Sequence, residues 1–200
     1  MIIGHDPGHG MPPAVMGVVA NGIVERDAVW SVGQNIVAGI PWVQHVLLRK
    51  QDGTPDYAQR ARDALTAGCQ FVFCHHINED QSNPSTRGTI TFYDPTDPIG
   101  MGVAQAITAA APPLLRRNVN MIFPCSHVDW TARTDWVIEH YRNVGIPCCL
   151  IEWGFASNQN DAAYLLGKQG RPGIVSAVEA GITRAMELLN APDLLCQDHP

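Results

Sequence analysis

Gln70-Phe71-Val72-Phe73-Cys74-His75-His76 and Pro147-Cys148-Cys149-Leu150-Ile151-Glu152 are the two stretches whose reading decides the fold. Each is a short run of aromatic, β-branched or otherwise apolar side chains, which reads as a strand, and each ends on a group able to move a proton or hold a metal. Outward from them, short apolar runs alternate with longer stretches of helical periodicity. Met1 to Gly4, Val43 to Leu48 and Gly88 to Tyr93 read as further strands. Asp27 to Ile40, Pro55 to Ala67, Ile99 to Ala111, Asn160 to Leu166 and Gly173 to Leu189 read as helices. Pro41 stops the first helix; Thr54-Pro55 starts the second, Gly68 ends it, and Pro112-Pro113 halts the third. Asn78 to Arg87 is a polar loop, and residues 112–140 carry no clear pattern. The expectation is an α/β fold: a single domain over 1–190 with a mostly parallel twisted sheet flanked by helices on both faces, then a short tail at 191–200.

The bulk numbers agree with one domain, since 200 residues at 46% hydrophobic and 16% charged can bury a substantial core. A net charge of -6 offers no basic patch for nucleic acid and no electrostatic help in approaching an anionic surface. Met1-Ile2-Ile3-Gly4-His5-Asp6 has neither a basic nor an apolar leader region, and no apolar run is long enough to span a bilayer, so the expectation is synthesis in the cytosol without membrane insertion. The six cysteines (69, 74, 125, 148, 149, 196) form no C-x-x-C pair and read as reduced, mostly buried thiols. Cys148 and Cys149, adjacent on a strand, should point to opposite faces of the sheet.

In an open parallel sheet the ligand site lies outside the carboxyl ends of the strands. His9 follows the first strand, His76 closes the strand that begins at Gln70, Glu152 closes the strand that begins at Pro147, and Glu25 sits just ahead of the first helix. Two histidines and two glutamates should therefore meet. Imidazole and carboxylate suit Zn²⁺, and a catalytic zinc keeps three protein ligands and one open position. His9, Glu25 and His76 are assigned to the metal, and Glu152 to proton transfer from water to a leaving amine.

Five segments in order, Asp6-Pro7-Gly8-His9-Gly10, Asn21-Gly22-Ile23-Val24-Glu25, His76-Ile77-Asn78, Gly88-Thr89-Ile90-Thr91-Phe92-Tyr93 and Glu152-Trp153-Gly154-Phe155-Ala156-Ser157-Asn158, resemble the zinc-dependent N-acetylmuramoyl-L-alanine amidases. Leu48 to Asp52 and Tyr57 to Arg60 extend the likeness, which runs from Ile2 to about Leu189. The resemblance implies a zinc hydrolase of peptidoglycan that cuts between N-acetylmuramic acid and L-alanine, with metal at His9, Glu25 and His76 and catalysis by Glu152. Cys74 and His75 stand where the family usually has a serine and an aliphatic residue, and Leu65-Thr66 replaces a frequent Ala-Asn pair. A compact chain with neither leader nor wall-binding module resembles a phage endolysin, made in the cytosol and acting at the wall after release. Alternatives are a zinc carboxypeptidase-like peptidase acting on stem peptides and a non-catalytic peptidoglycan-binding module.

Each assignment has a rival. His5 competes with His9, but Pro7 and Gly8 disfavour the helix that would put both on one face, leaving His5 as a partner behind the metal. His75 competes with His76, yet adjacent strand residues face opposite ways. Cys74 shares the face of His76 and is read as a small buried hydrophobe rather than a ligand. Glu25 also suits the first turn of a helix. Ser157 and Asn158 read as helix caps, His127 and Asp129 as a solvated loop with contact to sugar or peptide as the alternative, and Arg60 and Arg62 as surface or helix-cap cations, although Arg60 matches a family position suited to holding the site loop.

Overall fold

The computed structural model describes residues 1–10, 16–51, 53, 56–116, 121–125, 132–167 and 170–191. Strands β1 (Ile2–Pro7), β4 (Gln44–Leu47), β5 (Phe71–Asn78), β6 (Ile90–Tyr93), β7 (Ile122–Pro124) and β8 (Cys148–Phe155) form one sheet in the order β4-β1-β5-β8-β6-β7. The first four are parallel; β6 runs antiparallel to β8, and β7 follows β6. β2 (Val19–Ala20) and β3 (Ile23–Val24) make a separate hairpin. Its Asn21-Gly22 turn has positive φ at both residues, the geometry that matches the twist of paired strands.

Helices cover both faces, as the mostly parallel single-domain α/β expectation required. On one side α1 (Glu25–Gly39), α3 (Pro98–Ala110) and α6 (Gly170–Asn190) pack Val32, Ile36, Val103, Ile107, Val178 and Ile182 against Phe71, Phe73, Cys149, Ile151 and Trp153 of the sheet. On the other, α2 (Tyr57–Thr66) and α4 (Ala132–Arg142) set Ala61, Ala64, Ile138 and Tyr141 against Val72, Cys74, Cys148 and Leu150. Cys148 and Cys149 thus do face opposite ways, and the five described cysteines are buried. α5 (Gln159–Leu166) closes the carboxyl end of β8. No helix among the described residues is long and apolar enough to cross a membrane.

Several sequence boundaries move for physical reasons. β5 and β8 do not end at His76 and Glu152; Ile77, Trp153 and Phe155 are still buried, so pairing continues to Asn78 and Phe155 across an irregularity between His76 and Asn78. The cap of α2 is Asp56, whose carboxylate accepts from Gln59 N at 2.5 Å, and the helix starts at Tyr57; Thr54 and Pro55 lie outside the described residues. Asp97 and Pro98 start α3 with a side-chain cap and a first-turn proline. Asn158 caps α5 as expected, but Ser157 does not; its hydroxyl accepts from Asp80 N and ties down the 79–89 loop. Among its described residues, the unread stretch 112–140 supplies a 3-10 turn (Pro113–Leu115), β7 and most of α4.

One polar chain crosses all four parallel strands on the α1 face. Trp153 Nε1–H donates to His75 Nδ1 at 3.2 Å, and the indole can only donate. The His75 proton is then on Nε2 and goes to His5 Nδ1 at 3.1 Å; the His5 proton, on Nε2, goes to His45 Nδ1 at 2.9 Å; and His45 Nε2 donates to the Ile40 carbonyl at 2.6 Å. Every donor meets one acceptor. Burial first, and the neighbouring imidazoles second, push His75 down to about 3 and His5 well below its usual value. A second proton on either ring would set two N–H groups face to face. Since both histidines take up protons near pH 6.5 when unfolded but not when folded, their contribution is intact above that pH and is lost as pH falls from about 6.5 towards 3. Urea unfolding should lose up to ~2.7 kcal/mol per pH unit in that window, two protons' worth. The His5→Leu/His75→Leu double variant should lack this component, and equal slopes in both proteins would contradict it.

Candidate metal centre

Glu25 is the first residue of α1, not ahead of it, and is 2% exposed. The hairpin delivers it: Glu25 N donates to Val18 O, and Val18 N donates back to Glu25 Oε2 at 2.8 Å. Its Oε1 accepts from Ile77 N of β5 at 2.9 Å and lies 3.0 Å from His9 Nε2 and 3.2 Å from His76 Nδ1. Burial alone would raise this carboxyl, but hydrogen bonding to His76 and then His9 outweighs it and holds the group far below its usual range.

One ligand atom from each of His9, Glu25 and His76 lies within 4.8 Å of the others. Glu152, which pairs in register with His76 across β5 and β8, lines the same cavity of about 710 Å³. Burial, and then the Glu25 carboxylate, push Glu152 well above its usual range. Two observations show that the residues fit a metal. The buried atoms His76 Nε2 and Glu152 Oε2 have no hydrogen-bond partner. The backbone also clears space for the ring groups: a Cβ on Gly8 would strike the His76 imidazole, and one on Gly17 would meet His9 Nε2 at 2.7 Å and the Glu25 carboxylate. Two imidazoles and a carboxylate are a donor set for Zn²⁺.

His9 sits in the left-handed region at φ 63°, a conformation that costs energy for a non-glycine residue and has to be held. Arg60 holds it. Far from the surface cation expected, Arg60 is buried, with Nη1 on Asp6 Oδ1 at 2.6 Å and Nη2 on the His9 carbonyl at 2.6 Å. Asp6 takes its other hydrogen bond from Tyr141 OH at 2.6 Å. Arg49, also buried, donates to Pro7 O at 2.9 Å and to Arg26 O at 2.7 Å, joining the loop to the start of α1. Arg62 is the exposed cation it was expected to be.

His5 does not back the metal ligands; it belongs to the imidazole chain on the opposite face, with His75. Cys74 is buried in the α2/α4 core and stands outside the ligand cluster. His127 and Asp129 lie outside the described residues, as do Cys196 and the tail from 192. The sequence reading missed Asp6, Tyr141 and Trp136. Asp6 had a signal, since a carboxylate inside an otherwise apolar strand needs a partner; Trp136 falls in the stretch without pattern and Tyr141 directly follows it.

Fold and site together define a hydrolase domain of the α/β class. The family description for N-acetylmuramoyl-L-alanine amidase (Amidase_3) matches residues 3–184. The chain belongs to that family, and its activity is that of an N-acetylmuramoyl-L-alanine amidase on peptidoglycan. No curated protein sequence matches it. Similar solved structures include AmiC2 of Nostoc punctiforme (20% identity, 94% of this chain and 97% of that one, TM-score 0.76) and the catalytic domain of CwlV from Bacillus (Paenibacillus) polymyxa var. colistinus (19%, 93% and 98%, TM-score 0.74). The catalytic domain of the CD27L endolysin targeting Clostridia difficile is another (14%, 92% and 97%, TM-score 0.69). At these identities the structures speak for the fold.

Removing one partner of the buried Asp6–Arg60 pair strands the other's charge. Arg60→Met should cost about 3–5 kcal/mol in urea unfolding, and it should free the His9 loop. Arg62→Met should stay within about 0.5 kcal/mol of the parent. Equal effects of the two changes would refute the clamp.

Proposed function

We propose that His9, Glu25 and His76 bind a zinc ion and that Glu152 is the catalytic acid and base for hydrolysis of the amide between the lactyl group of N-acetylmuramic acid and L-alanine. The observation that carries this reading is the convergence of three ligand atoms within 4.8 Å beside a carboxylate whose buried Oε2 has no partner. Bound there, zinc would polarise the amide carbonyl and bring the pKa of a coordinated water to about 7. Everything else falls to the chain. Glu25 stays ionised because hydrogen bonding to His76 and His9 outweighs its burial, and the backbone N–H groups of Val18 and Ile77 also donate to it, so it offers a charged oxygen without recruiting a proton. Glu152 takes the proton of the attacking water and returns it to the departing nitrogen of L-alanine, and burial beside Glu25 favours the protonated form from which the second half starts. Positive charge held at His9, Glu25 and His76 would shift Glu152 toward the ionised form that the first half needs.

The setting belongs to the same proposal: an endolysin made in the cytosol, meeting the wall only when the membrane is opened. The likeness in fold to an endolysin catalytic domain supports it. Expressed in a susceptible host, the enzyme should lyse cells promptly after membrane permeabilisation and not before.

Digested sacculi test the reaction. Mass spectrometry should find intact stem peptides with a free L-alanine amine, and a chelator should abolish their release; single amino acids would indicate a peptidase. Glu152→Ala should lower the rate roughly a hundred- to ten-thousandfold with zinc still bound. His9→Ala and His76→Ala should lose zinc by elemental analysis. Stoichiometric zinc in either would overturn the ligand assignment.

A further inference from the structure

The geometry points to a saccharide subsite on Trp136: the face of its indole receives the pyranose ring of the muramyl residue whose amide is cut. This inference rests on the amidase reading above and extends it to the sugar side of the scissile bond. The cavity that holds His9, Glu25, His76 and Glu152 has a second, aromatic and aliphatic wall made by Tyr57, Phe92, Trp136, Val137 and Leu150. Most of that wall is buried, but Trp136 is 51% exposed. Among the described residues it is the one large apolar side chain that both lines this cavity and stays open to solvent.

Its neighbours hold the ring in place. Tyr57 and His140 lie in nearly parallel planes, 8° apart, and Trp136 stands close to perpendicular to both, at 82° and 77°, with 5.1 Å between centroids in each case. Tyr57 is itself fixed from below by the Arg60 guanidinium, 4.7 Å from its ring centroid. The residue that clamps the His9 loop therefore also supports the aromatic wall, so the indole is set at a fixed distance from the reacting centre. A preformed, half-bare aromatic surface gains from covering by a flat apolar partner, with little ordering of its own to lose.

Chemistry chooses between the two halves of the substrate. On the peptide side the group next to the bond is L-alanine, whose side chain is one methyl, followed by residues bearing charged carboxylates. Among the described residues the lining has no lysine or arginine, and Glu79 adds a carboxylate outside the proposed catalytic set, so it does not recruit an acidic peptide to this wall. On the sugar side the pyranose presents a broad face of C–H bonds without charge. That face matches an indole.

Two model substrates separate the claim from general damage: N-acetylmuramoyl-L-alanyl-D-isoglutamine, and its truncated analogue with a lactoyl group in place of the muramoyl sugar. Trp136→Ala should lower kcat/KM on the muramoyl substrate roughly ten- to hundredfold, mainly through KM, and leave the lactoyl substrate within about twofold of the parent. Trp136→Phe should recover most of the loss, with zinc content and thermal midpoint unchanged throughout. Equal losses on both substrates, or none on either, would overturn the subsite. A binding readout keeps the test independent of turnover. The disaccharide N-acetylglucosaminyl-N-acetylmuramic acid should shift the Trp136 indole N–H resonance in the parent and in Glu152→Gln. Saccharide binding that leaves this resonance unmoved, or no binding at all, would refute the subsite. Sugar binding without cleavage would refute the catalytic reading and leave the subsite standing.

Discussion

One ionised carboxylate, Glu25, buried almost completely at the start of α1, governs the architecture around the site. Glu25 is tolerable there only because backbone donors from two separate elements, Val18 ahead of the hairpin and Ile77 in β5, reach it together with two imidazoles. The hairpin of β2 and β3, too small to be stable alone, makes sense as the device that brings Val18 back onto Glu25 and starts α1 at that residue. Placing Glu152 in the same cavity then puts a second carboxyl near the first, and burial together with that negative neighbour favours its protonated form. A dication would resolve both costs at once. The electrostatics of the bare protein thus ask for positive charge at the point where the ligand atoms converge.

The alternation of a strand turns this into a division of labour between faces. His76 and Glu152 look to the α2/α4 side, while their chain neighbours His75 and Trp153 look to the α1/α3/α6 side. On the inner face every polar atom of the Trp153–His75–His5–His45 chain has one partner, and the chain spans four strands without a gap. On the site face His76 Nε2 and Glu152 Oε2 are left open. A closed polar network fixes register, and an open one waits for a ligand. The same two strands do both, one residue apart.

How much of this was legible in the sequence follows the range of the interactions. Helix and strand identities came from local signals, such as the apolar runs at Phe71 and Cys148, and survived with shifts of a few residues. His9, Glu25, His76 and Glu152 could be brought together from the sequence because strand ends converge whatever fills the loops. The reversed direction of β6 was not read, yet it had a cue: only 79–89 separate β5 from β6, too short for the helical crossover a parallel strand requires. β7 is three residues long and contains Pro124, and α4 has one narrow buried stripe at Val137, Ile138 and Tyr141, so neither carries enough periodicity to stand out. The imidazole chain was out of reach on principle. Its links join residues 70, 40 and 78 positions apart, and a histidine's partner at that range leaves no local trace.

Arg60 shows why such long-range contacts decide function rather than ornament it. One guanidinium neutralises Asp6, fixes the carbonyl of a residue in strained backbone geometry, and supports the ring of Tyr57, three tasks on three elements. Because its carbonyl is occupied by Arg60, His9 is turned with its side chain toward Glu25 and away from solvent competition for that backbone group. The fork of a guanidinium suits this role: its nitrogens have fixed relative positions, so satisfying the carboxylate sets where the carbonyl must lie. A lysine could neutralise Asp6 but could not transmit that geometry. The precision of the proposed metal site is therefore set one layer behind its ligands, by a charge pair made across the gap between β1 and α2.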